Sequence, residues 1–220
     1  MHIIFDLDGT LVESLPGIAA ALNAASAETG LPTHSDAAVR SFIGDGARML
    51  CKRSAPDQSE DTIDKLQASF AAHYSREWKT GTLVFQGIEP LLAELKTLGH
   101  SLSILSNKPH HFTTEIVEHF FPGEIFDLIL GQREHIEKKP DPSGVHEILQ
   151  SIGCSPADAI LVGDSTVDLI TARNAGISSL AVTWGYHDLD QLQAESPSHT
   201  ADSVSMLHSI LTSELTTTLS

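Results

Sequence analysis

The sequence predicts an α/β fold: a doubly wound parallel sheet with an all-helical segment inserted after the first strand. Three observations lead there. Beyond Gly81, short apolar runs alternate with helical periodicity, the pattern of strands and helices in a parallel sheet. A buried strand, Ile3-Ile4-Phe5, opens the chain, but the next run of that kind is Leu102 to Leu105. That gap of about 100 positions far exceeds the roughly 30 residues of an ordinary strand–helix–strand unit. The intervening residues read as consecutive helices.

After Leu11, Pro16 suits a first helical turn, Ile18, Ala21, Leu22 and Ala25 recur at helical spacing, and Gly30 and Pro32 stop the helix. Ser35 is placed to cap a second helix carrying Val39 and Phe42 and ending at Gly44. Asp45 is placed to cap a third, through Met49 and Leu50 to Ala55. A long fourth helix starts near Ser59, with Ile63, Leu66, Phe70, Tyr74 and Trp78 as a stripe expected to be core.

Gly87 precedes a helix containing Leu91, Leu92, Leu95 and Leu98, terminated by Gly99. The strand Leu102 to Leu105 delivers Ser106-Asn107-Lys108, and Pro109 opens a helix through Ile116, Val117 and Phe120. A third strand is expected at Phe126 to Leu130, then a polar loop to Lys138-Lys139-Pro140-Asp141-Pro142 and a helix with Val145, Ile148 and Leu149. Ala159 to Val162 forms a fourth strand that delivers Gly163-Asp164-Ser165. A helix through Asp168 and Ala175, a fifth strand at Leu180 to Val182 and a closing helix at 203–215 complete a Rossmann-like core. The expected division is residues 1–13 and 82–220 for the α/β core and 14–81 for the helical domain, with hinges near Glu13–Leu15 and Thr80–Gln86.

The chain has 220 residues and a formal net charge of −16. That charge argues against nucleic acid and anionic membranes as partners. No apolar run is long enough to span a bilayer, and chemistry beginning at Asp6 leaves no room for a signal peptide, so a cytoplasmic location is expected. Two cysteines, Cys51 and Cys154, imply neither a disulfide framework nor a cysteine zinc site. The 12 histidines are scattered, and nearly all read as surface residues.

Chemistry concentrates at strand ends. Asp6 and Asp8 are two apart in an extended chain and face one pocket. Adjacent buried carboxylates repel, and a bound cation with one acid protonated relieves the cost. That arrangement suits metal-assisted phosphoryl transfer, although Asp-Gly is also a common turn dipeptide. Ser106-Asn107 and Gly163-Asp164-Ser165 also serve as helix caps, and Lys139-Pro140 as an ordinary loop. Ligands in parallel sheets bind outside the carboxyl ends of the strands, where all four stretches converge.

Taken in order, Asp-x-Asp-Gly-Thr, Ser-Asn, Lys-Pro and Gly-Asp-Ser-x-x-Asp resemble the haloacid dehalogenase-like phosphatase superfamily, and the helical insertion resembles that family's first cap type. Leu11-Val12-Glu13-Ser14, Ser106-Asn107-Lys108 and Lys139-Pro140-Asp141-Pro142 are most similar to phosphoglycolate phosphatases. The resemblance implies Asp6 as nucleophile forming an aspartyl-phosphate, and Asp8 as acid and then base. It implies Mg²⁺ held by Asp6, Asp8 (through its carbonyl) and Asp164, with Asp168 coordinating or orienting its waters. Ser106, Asn107 and Lys139 would hold the transferring oxygens, with Leu7, Gly9 and Thr10 also at the phosphate.

The expected partner is a small phosphorylated metabolite chosen by the cap; the oligomeric state is not legible. The loop Gly44-Asp45-Gly46 with Arg48 stands at a helix N-terminus suited to a substrate carboxylate, or simply ends one helix and caps the next. A sugar-phosphate mutase or pyrophosphatase of the same superfamily shares these motifs, although mutases usually carry an apolar residue where Thr10 stands. A phospho-accepting signalling domain shares the acidic pocket and the lysine but lacks such an insertion.

Overall fold

The computed structural model describes the backbone of residues 1–217 and the side chains of 1–213. Strand β1 (His2–Phe5) is the centre of a parallel sheet with β4 (Ser101–Pro109), β5 (Leu128–Gln132), β6 (Ala159–Gly163), β7 (Ser178–Val182) and β8 (His199–Ala201), in the order β5-β4-β1-β6-β7-β8. Side-chain alternation along β1 sends Ile3 and Phe5 to one face and Ile4 to the other. Helices α5 (Ile88–Thr97), α6 (His110–Phe120) and α10 (Val204–Thr217) cover the first face, where Phe5, Leu92, Ile116 and Leu207 share a core. Helices α7 (Ser143–Ile152) and α8 (Thr166–Ala175) cover the second, around Ile4, Leu161, Ile148 and Ala172. Each large apolar side chain buried this way contributes about 1.5–3 kcal/mol. The doubly wound expectation holds.

Four helices lie between β1 and α5: α1 (Leu15–Glu28), α2 (Asp36–Phe42), α3 (Ala47–Ser54) and α4 (Glu60–Glu77). Ser35 and Ser59 cap α2 and α4, accepting from the N–H groups of Ala38 and Thr62. Asp45 does not cap α3. Gly46 occupies that position at φ 81° and Asp45 pairs instead with Arg53, a carboxylate drawn to a guanidinium rather than to a helix end. The insertion shares the first-face core through Leu22, Leu66 and Trp78. Tyr74 meets Phe112 of α6 edge-on at 5.2 Å.

Four further features depart from the sequence pattern. A two-stranded antiparallel ribbon, β2 (Val12–Glu13) with β3 (Leu83–Val84), spans both expected hinges; strands this short carry no readable periodicity. The third strand runs two residues later than expected, and β8 follows an unforeseen short helix, α9 (Leu189–Ala194). His2 and His100 are buried rather than on the surface: His2 lies in the central strand β1, and His100 is the residue that leads into β4. Among the described residues, no helix is long and apolar enough to cross a membrane.

Candidate active site

Register assembles the site. Phe5 pairs with Ile104 on one side and Val162 on the other, so Asp6, Ser106 and Asp164 leave three adjacent strands at nearly one level. The helical insertion lies over them and encloses a cavity of about 530 Å³. Asp6, Asp8, Ser106, Asn107 and Asp164 line its floor, and Gly44, Gly46, Arg48, Phe70 and Tyr74 its roof. The α4 stripe expected to be core is core from Ile63 to Trp78, and its Phe70 and Tyr74 also face the cavity.

Asp6, Asp164 and Asp168 each place one carboxylate oxygen within 4.8 Å of the others. Burial pushes Asp6 up to about 7, with the Lys139 charge opposing and Asp168 and Asp8 reinforcing the shift. Asp164 is raised well above the carboxylate range by burial and by Asp6 and Asp168. The Lys139 ammonium is 3.0 Å from Asp6 and 2.6 Å from Asp168. Burial disfavours its charge, but Asp168 and Asp6 more than compensate and raise its pKa. Three buried carboxylates against one ammonium leave negative charge unmatched, and hard oxygen donors of this kind fit Mg²⁺.

The glycines make this crowding feasible. A Cβ on Gly9 (φ 80°) would lie 2.3 Å from an Asp164 oxygen, and one on Gly185 just as close. Asp164 accepts from the Thr10 hydroxyl at 2.9 Å and the Tyr186 N–H at 2.7 Å. Asp168 accepts from the backbone N–H and hydroxyl of Ser165, closing a capping box on α8, while its other oxygen takes Lys139. Both Asp168 oxygens are thus engaged by protein groups.

Asp8 points elsewhere. Its carboxylate accepts from the Ser14 hydroxyl at 2.5 Å and from Lys108 Nζ at 2.9 and 2.8 Å, so its side chain stands outside the acidic trio. Leu7, Gly9 and Thr10 do not line the cavity: the Leu7 side chain is core, and Thr10 and Gly9 serve Asp164. Asp45 is also off the cavity wall, and Arg48 reaches it while ion-paired with Glu60 and Asp64 at 2.5 Å each.

The insertion is closed onto the core. Asn107 Nδ2 donates to the Gly44 carbonyl at 3.1 Å and to the Lys139 carbonyl at 2.9 Å. Lys138 donates to the Asp45 carbonyl at 2.6 Å, and Arg40 to the Gly185 and Tyr186 carbonyls. Sequence reasoning missed Lys108, Ser14 and Tyr186 as site residues. Lys108 was findable, being two residues past Ser106 on a strand and so on the same face. The Tyr186 hydroxyl, 3.0 Å from the Ser14 N–H, comes from an irregular loop with no pattern to read.

Comparison with known proteins places this geometry. Residues 3–182 match the family described as haloacid dehalogenase-like hydrolase. A phosphoglycolate phosphatase of Rhodospirillum rubrum is 35% identical over 192 residues, covering 84% of this chain and 80% of its own. The phosphoglycolate phosphatase of Vibrio parahaemolyticus is 32% identical over 212 residues, 93% of both chains. A crystal structure of a predicted phosphoglycolate phosphatase from Haemophilus somnus superimposes with a TM-score of 0.89 at 28% identity, covering 95% of this chain and 96% of that one.

Proposed function

Given that the chain belongs to the haloacid dehalogenase-like hydrolases and is a phosphatase, we propose that it hydrolyses a small phosphate monoester through a phosphorylated Asp6, with phosphoglycolate as the leading substrate. One arrangement carries this reading: Asp6 lies in an acidic trio on one side, while Asp8 stands apart, held by Ser14 and Lys108. That separation gives two carboxylates two different tasks.

Asp6 attacks phosphorus, and the bond to the ester oxygen breaks. Asp8 delivers a proton to that departing oxygen. Asp8 then takes a proton from water, which attacks the Asp6-bound phosphorus and releases phosphate and the free carboxylate. Ser106 and Lys139 hold the equatorial oxygens, and Lys139 is itself aimed by Asp168. Asp6 and Asp164, with Asp168 and the Asp8 carbonyl, would hold Mg²⁺. When bound, the ion supplies positive charge for the phosphoryl oxygens.

Residues 14–81 act as a cap domain, which excludes water once Asn107, Lys138 and Arg40 latch it down. Of the cap residues Gly44, Asp45, Gly46 and Arg48, all but Asp45 line the cavity roof and would face the leaving group, with Arg48 already matched by two carboxylates.

The deciding assay is phosphate release from a panel of esters with Mg²⁺, for wild type and Asp6→Asn. Turnover by the wild type and a loss of about 10³-fold or more in the variant are expected. An Asp6→Asn protein that releases phosphate at the parent rate rules the mechanism out.

A further inference from the structure

Two cationic side chains border the cavity, Arg48 and Lys108. Arg48 lies on the exposed side of the insertion with Glu60 and Asp64 as partners, so its charge is already spent twice. Lys108 is buried and has a single carboxylate partner, Asp8, whose two oxygens take two of its three N–H donors. The Tyr74 ring covers the ammonium from the insertion side at 4.7 Å from its centroid. The Tyr74 side chain is its other polar neighbour, and no second carboxylate pairs with it among the described ion pairs.

We propose that Lys108 is the specificity residue that binds a carboxylate on the leaving group, so that the substrates are phosphate monoesters of 2-hydroxy acids. This rests on the reading of Asp8 as proton donor to the ester oxygen. A proton donor must touch that oxygen, and Lys108 touches the same Asp8 carboxylate at 2.8 Å. In a phosphorylated 2-hydroxy acid, the nearest carboxylate oxygen is three bonds from the ester oxygen. An ester oxygen seated on Asp8 therefore brings that carboxylate beside the Lys108 ammonium.

Closure sharpens the selection. The Tyr74–Phe112 contact, edge-on at 5.2 Å, walls this corner with aromatic rings, where an ion pair is worth more than in water. A leaving group with a neutral polar end forms a weaker bond to a desolvated ammonium, and one with an apolar end forms none. In a chain of net charge −16, a substrate bearing a second anion needs such a local cation.

The test compares 2-phosphoglycolate with its amide, 2-amino-2-oxoethyl phosphate, using p-nitrophenyl phosphate as a general phosphatase probe, all with Mg²⁺. Wild type is expected to prefer the acid over the amide by about 30-fold or more in kcat/KM, mainly through KM. Lys108→Gln is expected to cut that preference to about 3-fold or less, whatever it costs in overall rate through Asp8. Lys108→Arg is expected to keep a preference of about 10-fold or more.

A wild-type enzyme that turns over p-nitrophenyl phosphate but does not distinguish acid from amide overturns the Lys108 assignment and leaves the phosphatase reading standing. So does a folded Lys108→Gln protein with the full preference, or a folded Lys108→Arg protein without it. If Lys108→Gln does not fold, the wild-type ratio and the Lys108→Arg ratio decide. A folded wild type inert toward all three esters overturns the phosphatase reading and this assignment together.

Discussion

Lys139 and Asp6 form a buried ion pair, with Nζ 3.0 Å from Oδ1, and it is the one protein cation within reach of the acidic trio among the described ion pairs. Replacing Lys139 by Met removes that charge and leaves Asp6 and Asp168 facing each other unpaired. Activity should fall by about 10³-fold. Unfolding free energy without metal should drop by about 3–5 kcal/mol. Phosphate-release assays and urea denaturation of the two proteins check both numbers.

Mg²⁺ should stabilise the protein more at pH 8 than at pH 5. In the metal-free protein burial lifts Asp6 from 3.8 to about 7. Between those values the folded state holds a proton that the unfolded state has lost, so this group's contribution to stability is full below pH 3.8 and disappears as pH rises through 7. The ion competes with that proton. A melting curve with and without Mg²⁺ at the two pH values should show the larger rise in Tm at pH 8.

Gly9→Ala should abolish the Mg²⁺-dependent rise in Tm as well as activity. The added methyl would lie 2.3 Å from Asp164 Oδ2, at a φ of 80° that a side chain rarely adopts. Backbone strain costs about 1–3 kcal/mol, and the Asp164 carboxylate must also move. Metal titration followed by thermal melting separates this from simple destabilisation, which lowers Tm but keeps the shift.

Stability in mild acid should be limited by His2. Burial lowers its pKa from 6.5 to about 4, and neither ring nitrogen has a hydrogen-bond partner. The unfolded chain binds the proton more readily, so the neutral ring's contribution is complete above pH 6.5 and lost as pH falls through 4. His2→Val should flatten that loss by an amount on the order of 3 kcal/mol. Urea denaturation at pH 4.5 and pH 7 measures it.

The acidic floor of the cavity was legible because strand-end motifs obey simple rules. Asp6 and Asp8 follow an apolar run, Asp164 follows another, and register then forces the two strands side by side. The helical insertion was legible from the surplus of chain between strands. What the pattern hid was pairing across long sequence distances. Asp8 is held by Lys108, 100 positions away, and Ser14 by Tyr186, 172 away. Asp45 looked like a helix cap because its neighbour Gly46, which holds that place, has no side chain to betray it. Arg48 looked like an anion receptor because Glu60 and Asp64 reach it only once α3 and α4 fold together.

The ribbon of Val12–Glu13 against Leu83–Val84 makes the helical segment a module plugged into a socket. Its two ends enter and leave through neighbouring hydrogen-bonded residues, so the sheet's strand order is indifferent to what is plugged in. A transplant from another chain, joined at those two pairs, would keep the acidic floor below and bring a different roof to the cavity. Ser14, the first residue past the plug, touches Asp8 directly, so any such exchange that alters the seating angle would be felt first at Asp8.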